Sequence, residues 1–141
     1  MGAAHSRRSI DAIHLKRAYD PATESDGRRI LVERLWPRGV RKVDLKADMW
    51  LKDVAPSTQL RQWFGHRVGR WDEFQRRYRK ELDAKPDEWA PILDDTRHGN
   101  VTLLYAAHDV LHNGALVLRD YLADQLARRT ALKGRRAAQK K

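Results

Sequence analysis

Two guanidinium groups, Arg34 and Arg38, flank an indole and a proline in the run Arg34-Leu35-Trp36-Pro37-Arg38. A guanidinium is a planar fork of donors that matches carboxylate and phosphate oxygens, and an indole beside it can wall or stack on a ligand. Further along, Tyr105 precedes His108, Asp109, His112 and Asn113 within a few residues. An imidazole can act as general acid or base, and a neighbouring amide can orient a ligand. Together, Arg34, Trp36, Arg38, Trp50, Lys52, Tyr105, His112 and Asn113 outline a basic, aromatic-walled site for a small anion. His112 is its candidate acid/base. A competing reading uses the same residues structurally. Trp36 then plugs the rim of the core, both arginines pair with nearby carboxylates, and His112 closes a helical turn.

Other chemistries fit less well. His108 and His112 have the four-residue spacing of a helical zinc pair, but a helix cap expected at Asp109 separates them, so no metal site is expected. Ser57 reads as a helix cap, not a nucleophile, because no partner is implied by spacing. Neither standard Gly-rich phosphate loop is present, and no cofactor is implied. Cysteine is absent, which removes thiolate chemistry and disulfides and fits a reducing cytoplasm.

These side chains need elements to hold them. Ile30-Leu31-Val32 reads as a buried strand feeding the Arg/Trp/Pro turn, since Pro37 biases Trp36 away from helix. Ligands of open α/β sheets bind at that end of a strand. The expected order begins with a half-buried strand within 10–19 and a loop ending at Gly27. After the Arg/Trp/Pro turn come a helical turn near 44–48 and an extended stretch at 49–54. Helices follow from the Ser57 cap to Gly65, over 71–84 with Trp71, Phe74, Tyr78 and Leu82 inward, and over 87–97. Val101 to Ala107 reads as a second buried strand. A last helix capped by Asp109 has Leu111, Ala115, Leu118 and Leu122 as its stripe. The pattern predicts a single α/β domain with a small, mostly parallel sheet flanked by helices.

At 141 residues one core is expected, and the net charge of +10 is unevenly spread. Residues 128–141 hold seven cations and no anion, which leaves +3 on residues 1–127. The organisation expected is a disordered 1–9, a domain over 10–127 and a basic flexible tail over 128–141. No apolar run approaches the roughly twenty residues that span a bilayer, and no signal peptide is read at the start.

Several stretches resemble the YeaO-like family, within domain of unknown function 488. They are Arg29–Gly39 (RILVERLWPRG), Trp50–Ser57 (WLKDVAPS), Leu60–His66 (LRQWFGH), Trp71–Tyr78 (WDEFQRRY) and Leu103–Asn113 (LLYAAHDVLHN). The resemblance covers roughly residues 10–126. It implies a small bacterial-type α/β domain and supplies no established reaction. The polar positions that recur in the family fall here on Arg34, Trp36, Pro37, Arg38, Trp50, Lys52, Pro56, Ser57, Asp109, His112 and Asn113. The chain departs from the pattern at His108, where members often have lysine, and at Gly114, where they often have a second amide. Cysteines of the wider family near Tyr105 and near His112-Asn113 have no counterpart in this chain.

The leading expectation is a cytoplasmic α/β protein that takes a nucleotide, phosphorylated metabolite or carboxylate, with turnover left open. Two alternatives come from other classes. One is nucleic-acid association through residues 128–141 and the arginine-rich face of the helix at 71–84, with steep salt dependence. The other is a partner-binding adaptor with an exposed apolar patch.

Overall fold

A computed structural model describes residues 12–139, with side chains as far as Arg135. The expected disordered segment 1–9 lies outside the described residues. Four strands form one parallel sheet: β1 (Ile13–Arg17), β2 (Arg28–Leu31), β3 (Met49–Trp50) and β4 (Val101–Tyr105), in the order β1-β4-β2-β3. The helices are α1 (Lys42–Leu45), α2 (Thr58–Phe64), α3 (Trp71–Asp83), α4 (Pro86–Asp95) and α5 (Gly114–Gln139). The α/β architecture matches the expectation.

β4 comes last in sequence yet lies centrally between β1 and β2. That position explains why all five of its residues are buried, as a strand covered on both faces requires. Its odd-numbered residues Val101, Leu103 and Tyr105 join Ile13, Ile30 and Val32 in the main core beneath the helices. Leu104 and Leu31 face the other way, into a smaller cluster covered by Leu45, Trp36, Val40 and Ala47. That second face is partly polar. Arg29 is buried there, donating to Asp26 and twice to the Leu45 carbonyl.

Local signals account for most boundaries. Ser57 Oγ accepts the Leu60 N–H at 3.1 Å, and Gly65 closes α2 in the left-handed region. Phe74, Tyr78 and Leu82 form the buried stripe of α3, with Trp71 half-buried at its start. Pro86 opens α4, where its missing N–H costs nothing.

Three expectations at the C-terminal half need correction. β4 ends at Tyr105 rather than Ala107, because the chain there turns into the loop that reaches α5. Asp109 does not cap α5. Asn113 does, accepting the Leu116 N–H at 2.9 Å, and this leaves Leu111 exposed ahead of the helix. Ala115, Leu118 and Leu122 are buried as expected. Residues 128–139, read from their charge as a flexible tail, continue α5. Ala, Leu, Arg, Lys and Gln are all good helix formers, so the helix continues past its apolar stripe. No described helix is long and apolar enough to cross a membrane.

Candidate functional site

The chain leaves β2 toward β3 at one edge and leaves β4 toward α5, which packs on β1 and β4. Such a divergence opens a crevice beyond the carboxyl ends of the two central strands. A cleft of about 600 Å³ lies there. Its walls come from Val32, Glu33 and Leu35 after β2, from Ala106 to His108 after β4, from Pro56 and α2, and from His112 to Ala115 at the start of α5.

Glu33 staples the two central strands. The last backbone bond between them runs from Val32 N to Leu104 O. The next donor, Ala106 N, is taken at 3.1 Å by Glu33 Oε1, a side-chain oxygen. The backbone carbonyl of Glu33 turns aside to accept Trp50 Nε1 at 2.6 Å. Burial pushes the Glu33 carboxyl above its ordinary range, against the opposing pull of the Ala106 N–H and the Arg61 charge.

Helix α2 supplies the cation. Thr58, Arg61 and Gln62 share its cleft-facing side, while Leu60 and Phe64 bury the helix. Arg61 is exposed and takes part in no salt bridge or side-chain hydrogen bond among the described residues. Gly65 at φ 53° and His66 at φ 58° are both left-handed, so the chain doubles back and His66 returns to the cleft mouth. A non-glycine residue in that region is uncommon, and such strain gathers at functional sites.

The 106–113 loop supplies two more imidazoles. The Leu111 N–H and the His112 ring hold the Asp109 carboxyl below the usual carboxylate range. As an ionised carboxylate it can only accept, so His112 Nδ1 carries the proton and donates to Asp109 Oδ2 at 2.9 Å. Trp71 packs edge-on against the same ring at 5.2 Å, which fixes its plane and leaves Nε2 as the available nitrogen. His108 has the opposite arrangement. Its Nδ1 faces Arg17 Nη2 at 3.3 Å, and because a guanidinium only donates, that nitrogen accepts. Among the described residues, no group of three or more His, Cys, Asp or Glu is placed to hold a metal.

Of the residues expected at a site, His112 and Asn113 line the cleft. The Asn113 amide is already engaged, its Nδ2 donating to Asp109 O and its Oδ1 capping α5. The remaining expected residues do not line it. Arg34 donates from Nε to Pro56 O at 2.7 Å and from Nη2 to Ala55 O at 3.2 Å, with Asp53 at 3.6 Å. Trp36 donates to Val40 O and meets Trp50 edge-on at 5.4 Å over the smaller core. Lys52 sits over the Trp50 ring at 4.1 Å. Arg38 is exposed, its carbonyl accepting from the Tyr19 hydroxyl. Tyr105 is buried in the main core, which raises its pKa. The residues missed from sequence are Glu33, Arg61 and His66. The turn signal at Gly65 was the one local hint toward the last of them.

Comparison with known proteins identifies the family. Residues 12–140 match the model described as the inactive DUF488-N3 subclade. Uncharacterized protein YeaO of Escherichia coli (strain K12) is 46% identical over 110 residues, covering 78% of this chain and 96% of that protein. The chain belongs to the YeaO-like DUF488 family. Uncharacterized protein Rv3073c of Mycobacterium tuberculosis (strain ATCC 25618 / H37Rv) is 39% identical over 110 residues, covering 78% of this chain and 92% of its own. Uncharacterized protein Mb3100c of Mycobacterium bovis gives the same figures, 39% over 110 residues. No solved structure matches. The subclade model runs to residue 140 and takes in most of the basic end of α5, while YeaO itself aligns over 110 residues, close to the length of the expected resemblance.

Proposed function

We propose that this YeaO-like chain binds a small anionic ligand, a nucleotide, phosphorylated metabolite or carboxylate, in the cleft beyond β2 and β4. The observation that carries the reading is the contrast between two arginines. Arg34 spends its donors on the carbonyls of Ala55 and Pro56, whereas Arg61 stands at the cleft with no paired carboxylate among the described residues. The cleft volume of about 600 Å³ falls in the ordinary range of small-molecule sites. Arg61 clamps the anion, His66 and His112 flank it, and Phe64 and Phe74 form the apolar floor. Binding without turnover fits the subclade's description as inactive. A cytoplasmic setting fits a chain without cysteine.

The test is thermal shift and calorimetry on the full chain with nucleotides, sugar phosphates and dicarboxylates, beside R61A. A ligand at 100 times its Kd adds about 2.7 kcal/mol to the stability of the native state. The parent should shift with one class of anion and R61A should not, at an unchanged melting temperature without ligand. No shift with any anion, or an equal shift in R61A, would overturn the reading.

A second reading, nucleic-acid contact, draws on the exposed cations Arg128, Lys133 and Arg135 along the end of α5. It is distinguished by salt-dependent binding that disappears on removal of residues 128–141.

A further inference from the structure

We infer that Glu33 selects the ligand: the cleft takes anions that also carry a hydrogen-bond donor, a hydroxyl or amine, delivered to Glu33 Oε2. This rests on the anion-binding reading and names the ligand class within it.

Glu33 lines the cleft and is only partly exposed. Oε1 is committed to the Ala106 N–H at 3.1 Å, so the carboxyl cannot swing away without freeing a backbone donor. Among the described residues no side-chain oxygen or nitrogen is both buried and unpartnered. Oε2 has no protein partner and is not fully buried, and Glu33 is one of the residues that line the cleft. A carboxylate anchored at Oε1 therefore lines the same cleft as Arg61.

The two groups make opposite demands. A simple anion placed against Arg61 brings negative charge toward a second, poorly hydrated carboxylate, which disfavours binding. An anion with a hydroxyl or amine in reach gives Oε2 a fixed donor in place of the solvent that the ligand displaces. Burial already lifts the Glu33 pKa, in keeping with a carboxylate short of donors. A site built around such an acceptor discriminates against the analogue lacking the donor, because the acceptor is then desolvated and unpaired.

Substitution by glutamine weakens this contact. The Ala106 N–H holds the amide with its carbonyl oxygen inward, so the NH₂ faces the cleft and an acceptor becomes a donor. Calorimetry on the full chain and on E33Q would use matched pairs: malate with succinate, citrate with tricarballylate, and glycerol 3-phosphate with propyl phosphate. In the parent, the hydroxylated member of at least one pair should bind about tenfold to a hundredfold more tightly, the range of a hydrogen bond to a charged group. In E33Q the hydroxyl can still accept from the amide, so that preference should fall to the range of a neutral hydrogen bond, about twofold to tenfold.

Equal binding of both members of every pair in the parent would overturn the role of Glu33 and leave the anion site standing. So would a preference undiminished in E33Q. If neither member of any pair binds, the anion reading fails and the selectivity falls with it. The parent measurements decide the first and last of these without the variant, so the inference stays testable if E33Q is destabilised.

Discussion

His112 Nδ1 lies 2.9 Å from Asp109 Oδ2, while four residues earlier His108 Nδ1 lies 3.3 Å from the Arg17 guanidinium. One ring nitrogen faces an acceptor and its counterpart faces a donor. The two histidines therefore hold opposite tautomers when neutral, His112 protonated on Nδ1 and His108 on Nε2. Imidazole ¹⁵N shifts of the labelled chain should show both. In D109A the His112 signal should move toward a tautomer mixture while His108 stays as it was. Identical tautomers in the parent would refute the assignment.

Arg34 holds the loop that forms one wall of the cleft. Its two bonds to the carbonyls of Ala55 and Pro56 work alongside Lys85 Nζ, which donates to Asp53 O and Ala55 O. Removing a charged donor from part-buried acceptors costs about 2 kcal/mol. R34A should lower the unfolding free energy by that amount in urea titration. An R34A protein as stable as the parent, with anion binding lost, would instead make Arg34 a ligand residue.

The buried Asp26 should govern the acid limb of stability. Burial alone would raise its pKa, but hydrogen bonds from Thr23 N, Lys16, the Thr23 hydroxyl and Arg29 outweigh it and hold the carboxyl well below the usual range. A depressed folded-state pKa stabilises the fold fully above the unfolded value of about 3.9 and loses that effect as pH falls toward the folded value. D26N should cost about 3 kcal/mol at neutral pH, since it leaves buried Arg29 without its anion. It should also flatten the decline of stability between about pH 4 and 2. Urea titrations at pH 7, 4, 3 and 2 check both, and an acid limb as steep as the parent's would contradict the assignment.

Gly27 sets the entry of β2 beside β4. Its φ is +63°, and a Cβ there would lie 2.1 Å from the Asn100 carbonyl oxygen, which accepts the Arg28 N–H at 2.9 Å. The clash is with backbone, so no side chain can move to relieve it. G27A should destabilise the chain by about 3 kcal/mol or more, from left-handed strain plus a displaced strand. A loss under about 1 kcal/mol in denaturant unfolding would mean the β2–β4 junction is looser than its geometry implies.

Tyr121 should contribute to the alkaline limb. Burial, then its hydrogen bond to Asp83 at 2.6 Å, pushes the phenol up to about 12. A raised folded-state pKa leaves the stabilisation complete below the unfolded value of about 10, with loss as pH rises toward 12. Y121F should reduce that alkaline decline, to which the buried phenols of Tyr78 and Tyr105 also contribute, measured by thermal unfolding from pH 8 to 11. An unchanged decline in the variant would exclude Tyr121 as its source.

The sequence alone determined the elements. Periodicity and caps act over three or four residues, so the Ser57 cap, the stripe of α3 and the buried run of β4 could be read from their neighbours. It also placed His112 and Asn113 beside the cleft, because the end of a buried strand is a local feature. It failed where two local readings were equally good. Asp109 and Asn113 are both capping residues, and only the path of the loop decides that Asn113 opens α5.

Tertiary structure decided which charges face the cleft. Arg34 and Arg61 look alike as residues, yet one is consumed by carbonyls of the 53–56 loop and the other is left at the opening. Glu33 gains its role from Ala106, 73 positions away, because the last strand inserts between the first two. Burial and hydrogen-bond partnership belong to pairs of distant residues brought together by the sheet. No window of the sequence contains both members, and so none could reveal them.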